Sequence, residues 1–356
     1  MASYGGIERH VCVLAEEAAK RGHTVRLLTT SNSLNATARC RLIDYGVDFR
    51  EMPTAREAVT NSRKLLWLGK EALQARFSSW DIVYTNGQSS LASVVWRAAG
   101  RRTRIIHHHH TAADAAEQKT WAPGFRKVLQ HAPELVACSN ATRVNIEAAV
   151  GRTGVTFLPY FTACPVSADE VQDTRYTPGQ PLAVGFVGRL IATKGIDTLC
   201  QLSRRPELGG VIWHLYGSSP EYPEAHFNAF PSIRYHGPYR DLERYGEILR
   251  ELDAIVLYSK HNEGMPLSLI EAMSAGLPWV ASDRGGTREL AVSAPNCQLI
   301  RDAEDVEAVL ADTLQLFDRI RGGQTSRTAQ RGVYDAHFSP EVVSRRWFEY
   351  LEGPAQ

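Results

Sequence analysis

The chain has 356 residues, of which 44% are hydrophobic and 22% charged, with a formal net charge of +1. This composition is typical of a soluble globular protein that is long enough for two domains with full cores. No run approaches about 20 apolar residues, and the first residues lack the basic and apolar stretches of a secretory signal, so neither a membrane-spanning helix nor export is expected. The six cysteines are scattered without a CxxC pair, which favours reduced core thiols in a cytosolic protein.

The small net charge hides an asymmetry between the two halves of the chain. Residues 1–165 hold 21 Lys and Arg against 13 Asp and Glu, a balance of +8. The remaining residues hold 19 against 26, a balance of −7. A basic half and an acidic half suggest two domains with different partners, although unselected variation of the surface is an alternative.

The chain opens "MASYGGIERHVCVLAEEAAKRGH", in which Gly5 and Gly6 stand directly before a helical pattern. Glycine pairs of this kind usually end a strand and lead into a helix. Apolar runs then alternate with helical stretches, which is typical of a parallel sheet covered on both faces. The predicted strands are "HTVRLLTT", "WDIVYTNG", "TRIIHHHH", "ELVACSN" and "VTFLPYF".

Four histidines at positions 107–110 end one of these predicted strands. Alternation along a strand puts His107 and His109 on one face of the sheet and His108 and His110 on the other. A zinc site would need ligands from elsewhere, and no Cys or carboxylate spacing supplies them, so no metal is expected. Some of the four are expected to be satisfied core histidines, while the strand-terminal one could hydrogen-bond a ligand such as a sugar.

A second alternating series follows the polar, patternless stretch over residues 162–181, which predicts an interdomain linker. Its predicted strands are "LAVGFVGRL", "VIWHLYG", "SIRYHGPY", "DAIVLYS" and "PWVASD", and the chain ends with a Pro-led helix. We therefore predict an α/β chain with doubly wound domains at 1–161 and 182–335, and a C-terminal helix within 336–356. Two such domains imply a cleft at the carboxyl ends of both sets of strands.

The stretch "GFVGRLIATKG" carries Arg189 and Lys194 in a turn between a strand and a helix. Two cations and glycines in such a turn fit a phosphate group, through a bidentate guanidinium, a point charge and a helix N-terminus. The stretch is neither a Walker loop nor GxGxxG, since both spacings are absent. A solvated Lys/Arg turn is the alternative reading.

The stretch "HNEGMPLSLIEAMSAG" contains two glutamates eight residues apart. Pro266 suits a first helical turn, which places Glu263 in the preceding loop and Glu271 more than a turn inside the helix. They are therefore not expected to form a facing acid–base pair of the glycosidase type. Amides of the helix N-terminus favour a polyanion, or a sugar that bears one. Glu271 stands in an apolar helix and needs a partner, either a ligand hydroxyl pair or a local cap or salt bridge.

Together these stretches resemble the retaining glycosyltransferases of family 4, which have the GT-B fold. The matching features are "GGIE" and "RGHTV" around the first helix, a histidine that ends a first-domain strand, "GRLIATKG", and "EGMPLSLIE" followed by "SDRGGTREL". The resemblance covers nearly the whole chain, and the E-x7-E motif is its most specific part. It implies two Rossmann-like domains facing across a cleft, with the C-terminal helix packed back on the first.

The resemblance implies a role for each matching residue of the second domain. Arg189 and Lys194 would hold the donor diphosphate. Glu263 would bond hydroxyls of the donor sugar, and Glu271 would hold the ribose hydroxyls. The backbone that lines the sugar and the distal phosphate would come from Gly264, Met265, Pro266 and Leu267.

In the first domain, Gly5 and Gly6 resemble the loop that lets backbone approach the diphosphate and the acceptor. His110 best fits the "HT" position that contacts the transferred sugar, with His109 as the alternative. The family normally has a strand before the glycine loop, and only residues 1–4 precede it here. Either the sheet does without that strand or the true start lies upstream.

The implied reaction transfers a sugar from a nucleotide-diphosphate sugar with retention at C1. The C1–O bond breaks while negative charge grows on the diphosphate, and Arg189, Lys194 and the helix N-terminus stabilise that charge. Neither a metal nor another cofactor is then required. Glu263 and His110 complete the expected catalytic group, and the leaving phosphate would accept the proton of the acceptor.

The first domain would bind the acceptor, and it is the basic one. Its stretch "TNSRKLLWLGKEALQARFSSW" combines Arg63, Lys64, Lys70 and Arg76 with leucines and a tryptophan. A lipid-linked or lipopolysaccharide-type glycan acceptor at the cytoplasmic face of an anionic membrane is therefore expected. An ordinary amphipathic helix packed on the sheet is the alternative, and no nucleic-acid partner is expected.

Other functions fit the residues less well. A nucleotide-sugar epimerase leaves the E-x7-E motif unexplained, and a glycan phosphorylase needs a Schiff-base lysine for which no candidate stands out. A dehydrogenase lacks GxGxxG after a strand. A catalytically inactive paralogue that acts as a binding partner remains as a different class.

Overall fold

The computed structural model describes residues 6–30, 34, 36–52, 61–77, 80–88, 92–100, 102–173, 176–239 and 241–353. Gly5, and with it the question of a strand before the first helix, lies outside the described residues. The chain divides into a first unit, Met1–Thr162 with Val343–Gln356, and a second unit, Ala163–Val342. Each unit is an α/β body with parallel strands. In the described residues no helix is long and apolar enough to cross a bilayer.

The first unit contains two parallel sheets. One pairs β1 with β2, and the other has the order β3-β4-β5-β6. The strand β2 was not predicted, because its sequence DFREM is mostly charged; Arg26 and Arg50 pair with Asp48 and stabilise it there. The strands are β1 Arg26–Thr30, β2 Asp48–Met52, β3 Ile82–Asn86, β4 Arg104–His109, β5 Glu134–Ala137 and β6 Thr156–Phe157.

Helices pack on both faces of the larger sheet. Trp96, Phe125 and Ile146 are buried together on one face. Leu14 and Ile106 belong to the core on the other face. The helices are α1 Gly6–Lys20, α2 Ala36–Asp44, α3 Asn61–Phe77, α4 Ala92–Ala98, α5 Ala115–Gln118, α6 Phe125–His131 and α7 Asn140–Val150.

The second unit has a single parallel sheet of six strands in the order β12-β11-β10-β7-β8-β9. From β7 the chain builds outward through β8 and β9, and then returns to place β10, β11 and β12 on the other side of β7. The order therefore reverses between β7 and β10. The strands are β7 Leu182–Val187, β8 Val211–Tyr216, β9 Ile233–Gly237, β10 Ala254–Leu257, β11 Trp279–Ser282 and β12 Cys297–Ile300.

The helices of the second unit follow the expected alternation, with one addition. The helix α12 was not predicted, and the predicted boundary at residues 335/336 falls inside it. The helices are α8 Ile196–Leu202, α9 Leu242–Glu251, α10 Leu267–Ser274, α11 Val306–Arg321 and α12 Arg327–His337. Residues 192–194 and 286–290 form short 3₁₀ turns.

The last helix, α13 Pro340–Glu352, belongs to the first unit from Val343 onward. Trp347 is fully buried there and donates from Nε1 to the carbonyl of Pro159 at 2.7 Å. Arg104 donates to the carbonyls of Leu351 and Gly353, both at 2.8 Å, and so binds the end of the helix. The C-terminal helix thus completes the core of the first unit.

The segment predicted as a linker at 162–181 is docked on the second unit rather than free. Glu170 pairs with Arg250, and Asp173 accepts hydrogen bonds from Ser326 and Thr328. Arg331 donates to the carbonyl of Val166 at 2.8 Å. The described part of this segment, 163–173 and 176–181, therefore belongs to the second unit, because its polar side chains find partners on α9 and α12.

Candidate active site

The candidate site of the second unit lies where the strand order of its sheet reverses. In open α/β sheets, ligands bind outside the carboxyl ends of the strands at such a point. The segment after β7 carries Arg189 and Lys194, and the segment after β10 carries Glu263. The fold therefore places Arg189, Lys194 and Glu263 in the segments that follow two neighbouring strands, at the edge where such sheets bind ligands.

Lys194 and Glu263 meet directly. The ammonium of Lys194 donates to Oε1 of Glu263 at 2.6 Å, and Oγ of Ser259 donates to the same oxygen at 2.5 Å. Nε2 of His261 lies 3.5 Å from it. Burial acts to raise the pKa of Glu263, which is 7% exposed, but Lys194, His261 and the hydrogen bonds outweigh burial and lower it. Glu263 is therefore an ionised acceptor at neutral pH.

Close backbone contacts hold the two segments together. The amide of Lys260 donates to the carbonyl of Thr193 at 2.9 Å. Gly195 has a φ of +76°, and a Cβ there would overlap the carbonyl of Tyr258. Only glycine accommodates both this conformation and this approach. Lys194 is thereby fixed against the segment that carries Glu263.

A second glycine supports Glu263 from the other side. Gly285 has a φ of +59°, and a Cβ there would overlap the carbonyl oxygen of Glu263. Glu263 and Gly285 form an isolated parallel bridge, and the amide of Gly286 donates to the same carbonyl at 2.8 Å. The "SDRGG" stretch is thus part of the support of Glu263.

The N-terminus of α10 carries the amides expected to bind a polyanion. Pro266 stands immediately before the helix, one residue earlier than a first-turn position. The amides of Gly264, Met265 and Leu267 donate to no acceptor among the described residues. Glu271 is buried one turn inside α10, as predicted, and has a bonding partner.

Arg189 stands apart from the ion pair. It is exposed directly after Gly188, and its guanidinium makes no ion pair or hydrogen bond with a described residue. Lys194 and Glu263 are brought together, while Arg189 is left available to a ligand. Sequence reasoning missed Ser259, His261 and Gly285. The detectable signal for Ser259 and His261 was that they are polar residues directly after a buried strand.

The histidines of the first unit alternate as predicted. His107 and His109 pack against Phe125, on one face of the sheet. His108 and His110 pack against Tyr160, on the other. All four are buried, and β4 ends at His109, so His110 is the first residue beyond the strand. Among the described residues no three His, Cys, Asp or Glu converge as metal ligands.

His110 is a neutral ring held by tyrosine. Its Nδ1 lies 3.1 Å from Oη of Tyr160, which itself donates to the carbonyl of His110 at 2.6 Å, so Nδ1 carries the proton. The hydroxyl of Tyr84 has a single proton to donate. Its Oη lies 2.7 Å from Nδ1 of His108 but 3.5 Å from Nε2 of His110, so the contact with His108 is the shorter one. Burial lowers the pKa of His110 well below its usual value. Its Nε2 is therefore an acceptor.

Comparison with known proteins matches each unit to a glycosyltransferase domain. Residues 4–159 match the domain described as Glycosyltransferase Family 4, and residues 181–319 match the domain described as Glycosyl transferases group 1. Together the two matches span most of the chain, and each lies within one unit.

The chain is also similar to curated proteins and to solved structures. The chain is 22% identical over 346 residues to an uncharacterized 42.6 kDa protein in the cps region of Klebsiella pneumoniae, covering 86% of this chain and 88% of that protein. It is 33% identical over 130 residues to a GDP-mannose-dependent alpha-mannosyltransferase of Mycobacterium tuberculosis, covering 35% and 32%. Anabaena Alr3699/HepE in complex with UDP and glucose aligns with a TM-score of 0.74 at 15% identity, covering 99% and 98%.

The fold is therefore of the GT-B type, with two Rossmann-like units, and the chain is a glycosyltransferase. Within that class, its first unit matches the family 4 domain and its second the group 1 domain.

Proposed function

We propose that the protein is a retaining hexosyltransferase that moves a sugar from a nucleotide-diphosphate sugar to a glycan or lipid-linked acceptor. The observation that carries the proposal is the contact between Lys194 and Glu263 at the reversal of strand order, next to amides at the start of α10 that donate to no acceptor in the described part of the chain. A cation, a buried acceptor and these amides suit a ligand that joins a diphosphate to a hydroxyl-rich sugar.

In this proposal the second unit binds the donor. Lys194, Arg189 and the amides of residues 264–267 bind the diphosphate, while Glu263 accepts hydrogen bonds from sugar hydroxyls and Glu271 from ribose hydroxyls. As the C1–O bond breaks, charge grows on the diphosphate where these donors already stand. The protein thus supplies the stabilisation that a divalent metal would otherwise provide, and no metal takes part.

His110 contacts the transferred sugar in this proposal. Its neutral state, with the proton on Nδ1, leaves Nε2 to accept a hydrogen bond from a sugar hydroxyl. Because burial keeps the pKa of His110 well below its usual value, the ring is a poor base, and it positions the sugar rather than taking a proton. Retention at C1 is consistent with this, since the leaving phosphate accepts the proton of the acceptor on the same face.

A ligand-binding panel followed by turnover tests the proposal. Nucleoside diphosphates and their sugars are expected to raise the melting temperature of the wild type, since a ligand that binds only the folded state stabilises it. With the stabilising sugar nucleotide, slow hydrolysis or transfer is expected, and Glu263→Ala should abolish it. If none of the ligands stabilises the protein, the donor site is disproved. Conversion of the sugar nucleotide to an epimer, or binding without turnover, would contradict transfer.

The acceptor proposal rests on α3, which turns its apolar side outward. Leu66, Leu73 and Phe77 lie along one face of α3 and are 74%, 58% and 80% exposed. The polar side faces inward, where Arg50 donates to Glu71 at 3.2 Å. This arrangement disagrees with an ordinary amphipathic helix packed through its leucines. The side chains of Arg63, Lys64 and Arg76 lie outside the described residues.

We place α3 on an anionic membrane, with the protein peripheral at its cytoplasmic face. Lys70 is exposed on the same face as Leu66 and Leu73, and an exposed apolar face with cations favours an anionic interface. Cosedimentation with phosphatidylglycerol vesicles at low salt is expected for the wild type and lost in Leu66→Ser/Leu73→Ser/Phe77→Ser.

The matched control is Leu242→Ser/Val292→Ser, which changes exposed apolar residues of the second unit and should cosediment like the wild type. Wild type left in the supernatant, or equal loss in both variants, would contradict docking through α3. The vesicle experiment leaves the donor assignment untouched, because it needs no sugar nucleotide.

A further inference from the structure

The loop that follows β4, residues 110–114, is held by side chains rather than by secondary structure. The carbonyls of residues 110–113 each accept a hydrogen bond from a side chain elsewhere in the first unit. The bonds are Tyr160 to the carbonyl of His110 at 2.6 Å, Thr142 to Thr111 at 3.0 Å, Asn145 to Ala112 at 2.8 Å and Gln118 to Ala113 at 2.9 Å. The loop therefore has a single well-defined path directly after the histidine run.

One residue of this loop has a strained backbone. Ala113 has a φ of +54°, and among the described residues it is the one non-glycine with a left-handed conformation. Its side chain is fully buried. A left-handed alanine costs about 1 kcal/mol or more and persists only where its surroundings hold it.

Glu117 supplies the restraint. Its Oε2 accepts from the amide of Ala113 at 2.7 Å. Its Oε1 accepts from Oγ1 of Thr111 at 2.6 Å and lies 3.0 Å from Nε2 of His109. Two further donors reach Oε1 from outside the loop, Gln88 at 2.7 Å and Trp121 at 3.1 Å. One carboxylate thus bonds to both residues that flank His110 and to the strained residue of the loop.

The environment of Glu117 keeps it ionised. Burial acts to raise its pKa, but the bonds from His109, Thr111 and Trp121 outweigh burial and lower the pKa to about 2. Because an ionised carboxylate only accepts, Nε2 of His109 must donate to it. That bond commits Nε2 of His109 to Glu117.

We propose that Glu117 is a positioning residue that sets the path of residues 110–114 and so places Nε2 of His110 for the transferred sugar. This rests on the proposed function, in which His110 contacts that sugar. Glu117 touches no reacting atom. It acts through the backbone of Ala113 and through its bonds to Thr111 and His109.

The test compares Glu117→Gln with a control carboxylate at the opposite end of the same sheet. Glu134, at the first residue of β5, is 8% exposed and accepts from Arg104 and Tyr350. Both variants should lower the melting temperature. Glu117→Gln should also lower kcat for transfer about tenfold or more, because a small displacement of a group that positions the transferred sugar is costly. Glu134→Gln should keep kcat within about twofold.

Two further measurements separate positioning from loss of stability. The dissociation constant for the stabilising nucleoside diphosphate should stay within about twofold in Glu117→Gln, because that ligand is bound by the second unit. Adding Ala113→Gly should restore kcat at least about threefold, since glycine adopts the left-handed conformation without the restraint. If Glu117→Gln does not fold, Gln88→Leu removes one bond to Oε1 and should lower kcat about threefold.

Each outcome is decisive. Wild-type kcat in Glu117→Gln, equal loss of kcat in Glu134→Gln, or no gain from Ala113→Gly overturns the positioning role. In all three cases the wild type still transfers sugar, so the proposed function stands. Failure of the wild type to bind any nucleoside diphosphate overturns the proposed function instead.

Discussion

Lys194 and Glu263 are 69 positions apart in sequence, yet the ammonium of one lies 2.6 Å from the carboxylate of the other in a buried setting. The contact exists because β7 and β10 are neighbours in the sheet. It neutralises both groups before any ligand binds. In the proposed function, a donor diphosphate would share the ammonium with Glu263.

Removing the ammonium should leave an uncompensated buried carboxylate. Lys194→Met is expected to lower the free energy of unfolding by about 3 kcal/mol, and Lys194→Met/Glu263→Gln should recover most of that loss. Urea titration at pH 7 measures both. Lys260→Met is the control, since its side chain makes no ion pair with a described residue. A double variant no more stable than Lys194→Met would contradict the coupling.

Gly285 should tolerate no side chain. Gly285→Ala is expected to lower the free energy of unfolding by more than about 2 kcal/mol, because the new Cβ overlaps the carbonyl of Glu263 and the backbone is left-handed. Gly323→Ala, with a φ of +64° and open space around it, should cost about 1 kcal/mol. Equal costs at the two positions would show that conformation alone matters and that the close approach does not.

Stability should fall in mild acid because buried histidines are neutral in the folded state. Burial lowers the pKa of His10 to about 3, and burial with His109 lowers that of His107 to about 3. The unfolded chain binds protons below its ordinary histidine pKa of about 6.5, so the stability these rings contribute is present above that pH and lost below it.

The loss from pH 7.5 to pH 5.5 is about 1.4 kcal/mol for each such histidine, measured by urea titration. His10→Asn keeps an acceptor for the amide of Phe161, which donates to Nδ1 of His10 at 3.0 Å, and should reduce the loss by about that amount. A wild type equally stable at both pH values would refute neutral burial.

The last helix should be needed for the first unit to fold. Trp347→Ala is expected to lower the free energy of unfolding by about 3–5 kcal/mol, because it empties a fully buried site between α13 and the sheet. Tyr350→Phe, which loses one hydrogen bond to Glu134, should cost about 1 kcal/mol. Thermal unfolding measures both variants. An equal decrease of a few degrees in their melting temperatures would contradict this packing.

Much of the fold could be predicted from local pattern. The alternation of strands and helices, the parallel sheets and the two-face arrangement of residues 107–110 follow from period and burial. The missed elements have identifiable causes as well. DFREM in β2 is mostly charged, and its Asp48 pairs with Arg50 of the same strand and with Arg26 of β1, so ion pairs rather than an apolar pattern stabilise it. The helix α12 and the docked segment before β7 depend on partners far along the chain.

Sequence alone determined the residue types of the site, because the E-x7-E spacing and the cations after β7 are local features. Tertiary structure decided which of them meet. Lys194 reaches Glu263 because β7 and β10 are neighbours, while Arg189 on the same segment makes no ion pair or hydrogen bond with a described residue. It also decided that α3 turns its leucines outward, since Arg50 binds Glu71 on the inner side. Contacts between distant residues depend on topology, which a pattern of local propensities does not contain.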